Sequence, residues 1–146
     1  DGSISLIDRK KDIMINAAGK NLSPSLIENI IKGSPYIKEC IVIADRRAYV
    51  SALVQIDMDT VRLWAEREGI AYTTFRSLAE HPDVIALIER EVAQQNSNLA
   101  RVEQIKKVYL LPKELDHDDG EVTATMKVRR SKVQDIYAAQ IEALYE

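Results

Sequence analysis

The chain has 146 residues, 46% of them hydrophobic, with a net charge of −3. That suits one domain with a real core and excludes a disordered chain, and the acidic balance argues against a dedicated nucleic-acid binder, whose domain is usually clearly basic. Cys40 is the single cysteine, which excludes an intrachain disulfide or thiolate metal cluster and makes a reducing, cytoplasmic setting the default, and no apolar run approaches the ~20 residues that span a bilayer.

Asp1-Gly2-Ser3 opens the chain. Asp-Gly is a strong hairpin signal, and a hairpin needs a strand before it, so the chain reads as a piece of a longer protein. Residues 3–8 read as a short strand carrying Ile4, Leu6 and Ile7, and residues 13–16 as a second. Residues 17–21 form a turn around Gly19. Ser23 is a good N-cap, and Pro24 suits the first helical position. The helix is expected to run to about Lys32, burying Leu26, Ile27, Ile30 and Ile31, until Gly33, Ser34 and Pro35 stop it.

Residues 37–44 are rich in β-branched side chains and predict a buried strand. After a polar turn at 45–49, residues 50–56 return as its antiparallel partner. Asp59 is the expected cap of a second helix holding Val61, Leu63, Trp64 and Ala65. Residues 70–74 are a linker. The spacing of Val84, Leu87, Ile88, Glu91 and Val92 predicts a helix over 78–99, frayed at Asn96-Ser97-Asn98. A strand over 105–111 closes at Pro112. An acidic loop over 115–121 follows, then an amphipathic helix over 131–145 with Val133, Ile136, Tyr137, Ile141 and Leu144. The order predicts an α+β fold, a small β-sheet flanked by helices.

Two segments could carry chemistry. Lys127 stands in Thr123-Ala-Thr-Met-Lys127-Val-Arg-Arg130, just before the C-terminal helix. A compact ammonium on a flexible stem suits a reaction that develops negative charge on a phosphoryl group, such as activation of a carboxylate by ATP. Thr123 and Thr125 would hold the loop through side-chain to backbone bonds. The plain alternative is a solvated basic patch opening a helix. The second segment is Asp8-Arg9-Lys10-Lys11-Asp12, by itself a charged connection between strands.

Other candidates are weak. Gly19-Lys20 is no phosphate-binding loop: that motif needs Gly where Met14 stands and Ser or Thr where Asn21 stands. His81 and His117 lack ligand spacing, and Asp116-His-Asp-Asp119 reads as an exposed turn. Cys40 reads as inert core and Trp64 as helix packing. No metal site and no Ser-His-Asp set is evident.

The charged cluster at 8–12, the turn at 17–21 and Thr123-Ala-Thr-Met-Lys127, in that order, resemble the C-terminal domain of adenylate-forming enzymes. Many relatives place Gly directly before the lysine. Here it is Met126, and the Thr-x-Thr-x-Lys form is similar to the long-chain acyl-CoA synthetase branch. Glu80-His-Pro-Asp-Val and Leu99-Ala-Arg-Val-Glu-Gln-Ile-Lys-Lys are also typical of that branch.

The resemblance implies a lid domain over 11–146, with 1–10 as the end of an N-terminal domain and the approach to the hinge. It implies a fatty acid–CoA ligase that forms acyl-AMP from ATP and then the thioester of coenzyme A. Lys127 would contact the substrate carboxylate and the α-phosphate. Arg9 would contact the nucleotide ribose, with Asp8 ordering it. Lys11 would be the pivot, where charge stays solvated in both orientations. Ala18, Gly19 and Lys20 would line the coenzyme A channel, and Glu28 would be structural. The implied partners are the chain's own N-terminal domain, fatty acid, ATP and coenzyme A, with Mg2+ held mainly by that other domain and no nucleic acid. Peripheral membrane contact belongs to the full-length enzyme, and this chain alone would be inactive.

Two alternatives stand beside this reading. One is an acyl-AMP ligase or another adenylate-forming enzyme with a different acceptor. The other is a non-catalytic phosphate- or RNA-binding module built on Lys106, Lys107, Lys127, Arg129 and Arg130. Aromatic content of 5% leaves base stacking little to work with.

Overall fold

The computed structural model describes residues 13–115 and 130–145. The strand expected over 3–8 and the acidic loop beyond Leu115 lie outside the described residues. Strands β1 (Met14–Ile15) and β2 (Asn21–Leu22) form a short antiparallel hairpin, pairing Met14 with Leu22 and Ile15 with Asn21. The sequence marks the turn but not β2, because two residues are too few to show alternation.

Helix α1 (Pro24–Ile31) starts as expected: Ser23 is extended, its side chain accepts the Leu26 N–H at 3.4 Å, and Pro24 opens the first turn. Ile27 and Ile31 are fully buried. Leu26, expected inside, is 49% exposed, because it lies 100° around the helix from Ile27 and off the buried stripe.

Strands β3 (Ile37–Ile43) and β4 (Val50–Ile56) pair antiparallel, with Ile41 opposite Leu53. Strand β5 (Ile105–Leu110) joins the other side of β4 in parallel, with Leu53 opposite Tyr109, giving the order β3-β4-β5. A parallel neighbour needs a crossover, supplied by α2 (Met58–Arg67), α3 (Phe75–Ala79) and α4 (Pro82–Asn96).

Two of these helices begin differently from expectation. Asp57, not Asp59, caps α2: it is extended and its Oδ1 accepts the Thr60 N–H at 3.1 Å, while Asp59 sits within the first turn. The helix expected over 78–99 is two helices, α3 and α4. His81 is extended (φ −68°, ψ 130°) because Pro82 follows it, and Pro82 starts a new helix. The His81 Nδ1 accepts the Asp83 N–H at 3.1 Å and caps α4. Asn96 ends α4 as expected and brackets β5, accepting the Ile105 N–H at 3.0 Å and donating to its carbonyl at 2.9 Å.

The sheet is buried on both faces. Cys40, Val42, Val50, Ala52, Val54 and Ile56 meet side chains of α1 to α4, including Ile27, Ile31, Val61, Leu78, Val84 and Ile88. Ile41, Ile43 and Leu53 on the reverse meet Leu111, Leu115, Val133, Tyr137 and Ile141. The last three come from α5 (Arg130–Ile136), Tyr137 and α6 (Ala138–Ala143), where one continuous helix was expected. Tyr137 (φ −105°, ψ 23°) breaks its regularity while burying its ring. Ile136, expected inside, is 42% exposed. Among the described residues no helix is long and apolar enough to cross a membrane.

Candidate functional site

The hairpin turn at 17–20 is organised by Asn16. This buried side chain accepts the N–H groups of Ala18 at 3.0 Å and Lys20 at 2.9 Å through one oxygen. Its main chain also receives Gly19 N–H at 3.0 Å and donates to the Lys20 carbonyl at 3.0 Å. Asn supplies such local bonds readily, so the turn chemistry around Gly19 is the signal in the sequence that points to Asn16. Gly19 has φ +82°, the left-handed region, and a Cβ placed there would meet nothing within 4 Å. Ala18, Gly19 and Lys20 are all exposed, so this backbone is open to an approaching ligand.

The hairpin rests on the turn between β3 and β4. Ala17 N–H donates to the Arg47 carbonyl at 2.9 Å, and Arg46 N–H donates to the Ile15 carbonyl at 2.7 Å. Asp45 Oδ1 accepts the Ile15 N–H at 3.3 Å.

From that turn Arg47 reaches the C-terminal helices. Its Nη1 donates to Glu142 Oε1 at 3.3 Å, and its Nη2 pairs with the other oxygen. The guanidinium lies 4.7 Å from the centre of the Tyr145 ring, which stacks on Tyr49 at 4.7 Å. The Tyr145 hydroxyl accepts from Ser51 Oγ at 2.8 Å and lies 2.9 Å from the carbonyls of Ile43 and Tyr49. The hydrogen bond to Glu142 raises the Arg47 pKa, and the same bond lowers that of Glu142. Burial pushes the Tyr145 phenol above its usual 10.0. None of these partners stands out in the sequence, because Arg47 and Glu142 are 95 residues apart.

Asp8, Arg9, Lys11, Thr123, Thr125, Lys127, His117 and Arg129 lie outside the described residues. Lys127 stands three positions before Arg130, where α5 begins. The structure thus joins the turn holding Ala18, Gly19 and Lys20 to the helix pair that follows Lys127 in the chain. Lys106 and Lys107 are exposed on β5, with the Lys107 ammonium 6.0 Å from the Tyr49 ring centre. Cys40 is buried, and Trp64 packs half-buried against the core, as read from the sequence. Among the described residues no three His, Cys, Asp or Glu side chains gather to hold a metal ion.

A family profile described as the C-terminal domain of AMP-binding enzymes matches residues 11–146. FadD11 of Mycobacterium tuberculosis, which carries a fatty-acid–CoA ligase name, is 42% identical over 99% of this chain and 25% of its own length. FadD15 of the same organism, a long-chain-fatty-acid–CoA ligase, is 36% identical over 99% of this chain and 24% of its own. Human long-chain-fatty-acid–CoA ligase 1 is 32% identical, again over 99% of this chain and 21% of its own. The chain therefore spans about a quarter of the relatives it matches.

Among solved structures, the adenylation domain of a carboxylate reductase from Mycobacterium chelonae superposes with a TM-score of 0.72 at 21% identity, covering 94% of this chain and 20% of that one. A fatty acyl CoA synthetase of Mycobacterium tuberculosis gives 0.55 at 21% identity, covering 89% and 20%. These neighbours share the α+β fold, and the profile match over residues 11–146 establishes that the chain belongs to the C-terminal domain family of AMP-binding enzymes.

Proposed function

We propose that the chain is the C-terminal lid of a long-chain fatty acid–CoA ligase. The observation that carries this reading is the 36% identity with a long-chain-fatty-acid–CoA ligase along 99% of the chain. In the first half-reaction a carboxylate oxygen attacks the α-phosphorus of ATP and pyrophosphate leaves. In the second the coenzyme A sulfur attacks the acyl carbon, AMP leaves, and the thiol proton goes to solvent or base.

In this reading Lys127 serves the first step, where its mobile cation screens the carboxylate from the phosphate. Arg9 holds the ribose, and Asp8 orders the Arg9 side chain. Lys11 is the pivot between residues 1–10, the end of the N-terminal domain, and the lid over 11–146. The start of the family match at residue 11 supports that boundary. Ala18, Gly19 and Lys20 serve the second step. The open, side-chain-free edge at Gly19 supports a role in letting the thin pantetheine arm pass close to backbone.

In this reading the nucleotide pocket, the acyl tunnel and most of the Mg2+ ligands belong to the N-terminal partner domain. A lid alone cannot bring the reactants together, an effect worth ~7–11 kcal/mol, so this chain by itself is inactive. The full-length enzyme is placed in the cytoplasm, with peripheral membrane contact where its apolar acid is drawn.

The test is the full-length protein with ATP, Mg2+, palmitate and coenzyme A. Palmitoyl-CoA, AMP and pyrophosphate are expected. Acyl-adenylate without thioester identifies an acyl-AMP ligase. Neither product, together with RNA binding that falls steeply with salt, identifies the non-catalytic module.

A further inference from the structure

Arg47 touches two parts of the molecule at once. Its main-chain carbonyl takes the Ala17 N–H, at the start of the turn that carries Gly19. Its side chain is gripped by Glu142 of α6 and covered by the Tyr145 ring. Tyr145 in turn is fixed by stacking on Tyr49 and by its hydroxyl at Ser51, Ile43 and Tyr49. An isolated surface ion pair does little. This one is forked, stacked on a ring, and attached to a residue whose carbonyl supports the turn.

We infer that Arg47 is a positioning residue for the coenzyme A step: the seating of α6, read through Arg47, sets the orientation of the turn at Ala17, Ala18, Gly19 and Lys20. This rests on the reading of that turn as the coenzyme A-facing element. Glu142 and Tyr145 hold Arg47 and act through it. The hairpin receives its main-chain bonds from residues 46 and 47, so a shift of Arg47 is passed directly to the turn. No reacting atom is touched, so the effect falls on binding in the second step and spares the first.

The experiment uses the full-length enzyme with Arg47→Ala, Arg47→Lys, Glu142→Gln and the double variant Arg47→Ala/Glu142→Gln. Pyrophosphate exchange reads acyl-adenylate formation, and thioester formation from supplied acyl-adenylate reads the second step. Arg47→Ala is expected to leave the first within about twofold. It should raise the KM for coenzyme A about five- to tenfold, well short of the ~100-fold that displacing a reacting group costs. Arg47→Lys, a cation without the fork, should recover part of the loss. Glu142→Gln should act in the same direction, and the double variant should be no worse than Arg47→Ala.

Amide exchange on the same proteins gives a readout independent of activity. Residues 13–20 should exchange faster in Arg47→Ala, with residues 50–56 unchanged. Equal loss in both half-reactions, an unchanged KM for coenzyme A, or unchanged exchange at 13–20 overturns the inference. If the unmodified enzyme makes no thioester while exchange at 13–20 responds to Arg47→Ala, the ligase reading has failed and only the mechanical link survives.

Discussion

Glu28, on α1, takes the backbone N–H of Val42 with its Oε2 at 2.8 Å. Val42 lies on β3, which among the described residues has β4 on one side and is otherwise an edge of the three-stranded sheet. Edge strands present unpaired main-chain groups, and a side chain laid over them is one way to cover the edge. The bond has an ionised acceptor, so it is stronger than a neutral one. The acid in this helix therefore serves the sheet, the structural role that the family resemblance implies for it.

Replacing Glu28 with Leu removes its hydrogen bond from the Val42 N–H, and loss of a hydrogen bond to a carboxylate costs about 1.5–3 kcal/mol. Glu28→Gln keeps an oxygen at the site and should cost less than half as much. Urea denaturation checks both: the midpoint should fall in that order with an unchanged slope.

Gly19 sits at φ +82° with open space where a Cβ would go. Alanine there meets no clash but adopts a left-handed conformation, at a cost of ~1 kcal/mol. Gly19→Asn should cost less, since Asn tolerates that region. If the turn faces coenzyme A, Gly19→Ala should also raise the KM for coenzyme A while acyl-adenylate formation stays near normal. Kinetics of the two half-reactions, measured separately in the full-length enzyme, decide this.

Much of the fold can be read from local chemistry. Ser23-Pro24 marks the start of α1 because cap and proline act within one turn, and the β-branched runs mark β3 and β4. What escapes the sequence is set by contacts at long range or by one backbone angle. The split at His81-Pro82 hides inside a good helical stripe, since Leu78 and Val84 both belong to the core although they lie on different helices. Leu26 and Ile136 are apolar enough for the core but lie off the buried stripe. For the site, Gly19 is legible because a turn needs it. Asn16 was within reach through the same turn chemistry. Arg47, Glu142 and Tyr145 were not, because only the folded sheet brings them together.

In the full-length enzyme, Lys127→Ala should cut acyl-adenylate formation by ~10²–10³, the usual result of losing one preorganised charge at a developing anion. Thioester formation from supplied acyl-adenylate should be much less affected. Pyrophosphate exchange and direct thioester assay separate the two. An equal loss in both steps would remove the assignment.

The Arg47–Glu142 pair should give stability a specific pH dependence. The hydrogen bond to Arg47 holds the Glu142 carboxyl below its usual 4.5. A carboxyl whose pKa is depressed by folding stabilises the fold above its unfolded value, and that gain is lost as pH falls through the folded value. Arg47, raised by the same contact, stays charged throughout. The advantage of the unmodified chain over Glu142→Gln should thus be constant near neutrality, shrink below about pH 4.5, and be reduced by salt at neutral pH. Urea midpoints of the two proteins across acid pH check it.

The reverse face of the sheet is sealed late in the life of a growing chain. The Tyr145 hydroxyl meets the carbonyls of Ile43 and Tyr49, which are made 102 and 96 residues earlier. At ~5–20 residues per second of synthesis, that is a delay of about 5–20 s. For most of it Ile41 and Leu53 have their β-ladder but not Val133, Tyr137 or Ile141 to cover them. The half-built domain therefore leaves the ribosome with one greasy side wet, and its yield in the cell depends on what shields that side until the last turn arrives.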